Sequence, residues 1–81
     1  MRAYHVTTDR KLAKYESTGA ILPPVRFWPN LETAMKWAKK TGRNVIVSFD
    51  CDTHYPLPDH RPAHWTPEVI HNYDIVKGAS A

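Results

Sequence analysis

The stretch VRFWPNLETAMKWAKKTGRNVIVSF, residues 25–49, decides the fold. Val25 to Trp28 is a short apolar and aromatic run, which favours a strand. Pro29-Asn30 breaks it, and Asn30 is a good helix N-cap. Leu31, Ala34, Met35 and Ala38 then recur at i, i+3, i+4 and i+7, the period of a helix with one apolar face. Trp37 widens that face or marks its edge. Lys36, Lys39 and Lys40 take the opposite side, and the last two complement the negative end of the helix dipole. Gly42 is the natural stop. From Asn44 to Phe49, Val45, Val47 and Phe49 alternate with Asn44, Ile46 and Ser48. Both sets contain apolar residues, which predicts a central strand covered on both faces.

Working outward, Arg2 to Val6 reads as a first strand, followed by the turn-rich Thr7-Thr8-Asp9. Thr7 or Thr8 caps a helix over Asp9 to Ser17 that buries Leu12, Ala13 and part of Tyr15, and Gly19 ends it. Pro23-Pro24 keeps the next link extended. Asp50 to Trp65 holds three prolines and three histidines without any period, which predicts a long loop. Thr66-Pro67-Glu68 has the pattern of a helix start, an N-cap followed by proline and an acid, and predicts one turn through Ile70. Tyr73 to Val76 is the last strand, and residues 77–81 are a disordered tail. The predicted fold is α+β: a single domain with a small mixed sheet of about four strands, two helices packed on it and a long Pro/His-rich loop.

Eighty-one residues make one domain with a small core, burying about 60–65% of the unfolded surface. Apolar residues at 42% and charged residues at 23% are ordinary for a globular protein. A single cysteine, Cys51, excludes an intramolecular disulfide. No apolar run approaches the roughly 18 residues of a membrane span, and the N-terminus has no signal-peptide core. The expectation is a cytoplasmic protein without a membrane partner. The formal charge is +3, with positives at Arg10, Lys11 and Lys14 and again at Lys36, Lys39, Lys40 and Arg43. These positions suit the solvated faces of two helices first and an anion-binding face second.

Cys51, His54, His60 and His64 are residue types that bind zinc. Their spacings of three, six and four match no zinc-finger pattern, so no metal is expected. Cys51 lacks a base that its sequence neighbours hold in place. His5, inside an apolar strand, is by itself a hydrogen-bonded core or edge histidine.

The order of these pieces points further. Tyr4-His5-Val6-Thr7 opens the chain, and a short helix ending in glycine follows. Next come the aromatic pair Phe27-Trp28 and the alanine-bearing helix Leu31 to Ala38. Thr66-Pro67-Glu68-Val69-Ile70 lies near the end. Taken together, this resembles minimal members of the ADP-ribosyltransferase-like superfamily, which includes the RNA 2′-phosphotransferase branch. The resemblance runs from Tyr4 to Ile70. It implies an NAD-binding cleft in which His5 and Thr7 contact ribose and Phe27 or Trp28 stacks on nicotinamide. It also implies a late carboxylate that orients the nucleophile, for which Glu68 is the candidate. If the domain is catalytic, the reaction is ADP-ribosyl or related transfer. The chain is shorter than catalytic members, so the expectation extends to a degenerate relative that binds without transferring. The alternative is a non-catalytic interaction protein, a small inhibitor or adaptor of the kind mobile elements encode, acting through its basic helix face and Pro/His loop. Nucleic-acid binding ranks below both, because no RNA-binding aromatic signature is present. The oligomeric state is left open.

Overall fold

The computed structural model describes residues 1–77. The fold is α+β, with two helices and two small antiparallel sheets. Strand β1 spans Arg2–Thr7, helix α1 Asp9–Thr18, strand β2 Val25–Phe27 and helix α2 Leu31–Thr41. Strands β3 (Val45–Asp50), β4 (Tyr55–Pro56), β5 (His64–Thr66) and β6 (Asp74–Lys77) follow. One sheet has the order β1-β3-β6 and the other β2-β5-β4.

Strand β3 is central, and residues 45–49 are all buried, as the apolar character of both its faces predicts. Residues directly opposite in antiparallel strands share a face. Ala3, His5 and Thr7 of β1 therefore line up with Phe49, Val47 and Val45. That face packs with Leu12 of α1 and with Val25 and Phe27 of the second sheet. The other face carries Val6 and Ile46, and α2 covers it with Ala34 and Ala38. Small residues on that helix line let α2 approach the sheet closely. Met35, one step around the helix, is 49% exposed instead of buried. Ala13 is likewise exposed, and only Leu12 of α1 is buried. Both helices have the caps read from the sequence. The Thr8 hydroxyl accepts from the Lys11 amide and the Asn30 side chain from the Thr33 amide, and Gly19 and Gly42 close the ends with φ of 79° and 72°.

The region after β3 differs from expectation. Residues 50–65 are not one featureless loop, since β4 and the start of β5 lie within them, β4 pairing with β5 and β5 with β2. Two- and three-residue strands are too short to show a period. Thr66 does not start a helix but ends β5. Its hydroxyl donates to the Thr53 carbonyl and accepts from the Glu68 amide at 3.2 Å. Pro67 holds the residue before it extended. The next backbone anchor is a reciprocal pair between Ile70 and Ile21, at 2.8 and 3.0 Å. Lys77 belongs to β6 and not to the tail, and residues 78–81 lie outside the described residues.

Among the described residues, one backbone bridge joins the two sheets. Tyr4 and Trp28 exchange both backbone hydrogen bonds, at 2.9 and 2.8 Å, as an isolated bridge. Two substitutions test the local energetics. Asn30→Ala removes the α2 cap and is expected to lower unfolding stability by about 1 kcal/mol in a denaturant titration. The buried Ser48 hydroxyl has no hydrogen-bond partner among the described residues. Ser48→Ala is therefore expected to leave the denaturation midpoint unchanged or raise it.

Candidate functional site

The site lies where β1 and β2 part beyond the Tyr4–Trp28 bridge. Main-chain groups alternate direction along a strand, so the Arg26 carbonyl, two residues before Trp28, points toward β1 as well. Instead of a ladder bond it receives the His5 side chain, with Nδ1 2.6 Å from the oxygen. A carbonyl only accepts, so Nδ1 carries the proton. Nε2 then presents a lone pair, and the Tyr15 hydroxyl donates to it at 3.1 Å. The Thr7 hydroxyl stands 3.5 Å from the same Tyr15 oxygen. Thr7, Tyr15, His5 and the Arg26 carbonyl thus form one chain of polar groups linking β1, α1 and β2.

Burial pushes the His5 pKa below its ordinary value, and Lys11 and Arg43 push it the same way against the opposing pull of the Arg26 carbonyl. The imidazole is held neutral by its surroundings, in agreement with the tautomer its partners require.

A cleft of about 410 Å³ opens over this chain, within the range of roughly 300–1,000 Å³ that holds small ligands. Its polar wall presents His5, Tyr15 and His60. Lys11, Arg26 and Arg43 supply three cations from three different segments, and among the described residues no Asp or Glu lines it. Its aromatic wall is a packed series. The rings of Trp28 and Trp37 are centred 5.6 Å apart, and His60 meets Trp37 edge-on at 5.3 Å.

The residues read from the sequence divide between two places. His5, Phe27 and Trp28 all border the cleft. Phe27 is only 1% exposed, with its ring against Phe49, His54 and His64, so it has no free face for stacking. Trp28 is 8% exposed, and the more open aromatic of the pair is Trp37. Thr7 is buried behind Tyr15 and positions that hydroxyl. Glu68 is not among the residues that line the cleft. Its carboxylate accepts the Asp52 and Thr53 amides at 2.8 and 2.6 Å, which pins the start of the β3–β4 link. Lys11 and Arg43 belong to the positives read first as solvated and second as an anion-binding face, whereas Tyr15, Arg26 and Trp37 carry no such signal in the sequence. Another signal was available for Tyr15, since Lys11 and Tyr15 sit at i and i+4 on α1 and so share a face.

The Cys/His group does not converge. Cys51 is in the core, and burial, then the Glu68 charge, raises its thiol pKa. His60 packs on Trp37. His54 and His64 face each other with their Nδ1 atoms 2.9 Å apart, and burial followed by His54 lowers the His64 pKa. Among the described residues, no group of three or more His, Cys, Asp or Glu side chains is placed to hold a metal ion. A larger hollow of about 860 Å³ lies near Arg2, Asp50 and Asp74. There Arg2 already pairs with both carboxylates, at 3.3 and 2.8 Å. No described helix is long and apolar enough to cross a membrane. Comparison of the chain with family models, curated proteins and solved structures yields no match.

The His5 environment gives a signed pH dependence. The folded-state pKa lies below the unfolded value of 6.5, so as pH falls below 6.5 the unfolded chain takes up a proton that the folded His5 resists. Stability from the neutral imidazole is complete above that pH and is lost as pH drops through the folded pKa. In urea titrations between pH 8 and pH 5, His5→Gln is expected to show a shallower acid loss than the unaltered protein. His54 and His64 are present in both, so the difference between the two curves reports His5. Parallel curves would refute this assignment.

Proposed function

We propose that this domain binds NAD or a related nucleotide in the cleft over His5, in the manner of an ADP-ribosyltransferase-like domain. The observation that carries the reading is the charge and chemistry of the lining: Lys11, Arg26 and Arg43 around neutral His5 and Tyr15, with an aromatic wall and no carboxylate. Three cations in a concave site favour a ligand with clustered negative charge, such as a diphosphate. Both ring nitrogens of His5 are taken, by the Arg26 carbonyl and the Tyr15 hydroxyl, so the group left to meet a ribose hydroxyl is the Tyr15 oxygen, which His5 orients and which still accepts. Trp37, half-buried at the cleft, offers a planar ring an aromatic surface beside Trp28 and His60, with Lys40 Nζ 5.8 Å from its ring centre.

The residues present fit the phosphates and ribose of NAD. Bound NAD would supply the activated glycosidic bond of an ADP-ribosyl transfer. Stabilising an oxocarbenium-like sugar calls for a nearby carboxylate, and the lining has none. Glu68 is held by two backbone amides elsewhere. The proposal is therefore for nucleotide binding, and no transfer step is assigned to a residue.

The test is an amide NMR titration with NAD. Saturable shifts are expected at His5, Tyr15, Trp37 and Arg43. Reversing the charge of Lys11 and Arg43 together is expected to weaken binding by about tenfold or more, and added salt should weaken it in the unaltered protein. His5→Ala should weaken it as well. No saturation at millimolar NAD, or affinity indifferent to the charge reversals, would overturn the reading.

A further inference from the structure

The second sheet carries a row of side chains next to the cleft. Arg26 stands opposite Trp65 in the β2–β5 pair, and Trp65 opposite Tyr55 in the β4–β5 pair. Opposed residues share a face, so Arg26, Trp65 and Tyr55 project from the same side. Their neighbours Val25 and Phe27 are buried, which makes this the outer side. Tyr55 is 48% exposed, and its ring is centred 5.1 Å from that of Trp65. A hollow of about 530 Å³ borders Trp65, walled by Pro23, Pro24, Leu57 and Pro67. Among the described residues its lining includes no Asp or Glu, and Arg26 is the one charged residue there.

This hollow and the cationic cleft adjoin, because Pro24, Arg26 and Leu57 line both. One end is cationic and hydrogen-bonding, the other apolar and aromatic, and Arg26 stands at the boundary. Resting on the nucleotide reading of the cleft, we infer that the ligand extends past Arg26. Its phosphates lie among Lys11, Arg26 and Arg43, and its neutral base lies on the Trp65 platform. A flat apolar surface walled by proline loses little freedom on binding a planar ring. The apolar, proline-walled platform suits the neutral base of a dinucleotide, so it takes the adenine end. The Arg26 main chain holds His5 through its carbonyl while its side chain borders both subsites, so one residue couples their spacing.

The probes are ADP-ribose, which has base, diphosphate and ribose, and ribose 5-phosphate, which has no base. The three tryptophans give three indole N–H resonances, which Trp→Phe variants assign. In the unaltered protein the Trp65 indole is expected to shift with ADP-ribose and stay still with ribose 5-phosphate. Trp65→Ala is expected to weaken ADP-ribose by roughly fivefold or more and to leave ribose 5-phosphate unaffected. W65F, which keeps a ring, retains most of the affinity. An unmoved Trp65 indole on saturation with ADP-ribose, with His5→Ala still weakening binding, overturns the base platform and keeps the cleft. Failure of both compounds to saturate overturns both readings. The indole shift is read on the unaltered protein and stands even if W65A does not fold.

Discussion

The contact between the His5 imidazole and the Arg26 carbonyl sets the geometry on which the rest of this site depends. Two small sheets, each only three strands wide, pack on each other and, among the described residues, are joined by a single backbone bridge at Tyr4 and Trp28. A buried strand edge that opens leaves its next polar group without a partner, at a cost of about 1–3 kcal/mol. Here a side chain fills that vacancy. The imidazole takes the carbonyl that a continuous ladder would have taken, and the space freed by the parting strands becomes the cleft. Its floor is thus built from groups that the fold must satisfy for its own stability.

Electrostatics follow from the same seam. Lys11 comes from α1, Arg26 from β2 and Arg43 from the residues after α2, three segments far apart in sequence. The acids are kept elsewhere: Asp50 and Asp74 pair with Arg2, Glu32 with Lys36, and Glu68 with two amides. The modest net charge of +3 is therefore unevenly distributed, and its effect at the cleft exceeds what the total suggests. Burial first, then the charges of Lys11 and Arg43, lowers the His5 pKa, which favours the neutral ring that accepts from Tyr15.

Much of the fold was legible in the chain because it rests on local rules. The helix periods, the Thr8 and Asn30 caps, the terminal glycines and the two-faced apolar run of β3 all need only neighbours within one or two turns. The misreadings arose where local rules compete with distant partners. Met35 fits the helix period, but the alanine line Ala34–Ala38 seats α2, which leaves Met35 in solvent. Thr66-Pro67-Glu68 has the composition of a helix start, yet Thr66 finds the Thr53 carbonyl and Ile70 finds Ile21. Strands β4 and β5 are defined by pairing alone, since so few residues carry no pattern. At the site, His5 and Trp28 stood out by type and context. Lys11 and Arg43 looked like ordinary solvated charges, because only the approach of other segments makes them face one cleft.

By itself, the sequence determined the two helices, their ends, the central strand and a polar histidine within the first strand, because each follows from side-chain spacing along a short length of backbone. Tertiary structure alone decided that the sheets part beside that histidine, that three scattered cations face the gap while Glu68 turns to a loop, and that Arg26, Trp65 and Tyr55 form one row. The physical reason is that register and chain crossing bring together residues tens of positions apart, and no local pattern encodes that meeting.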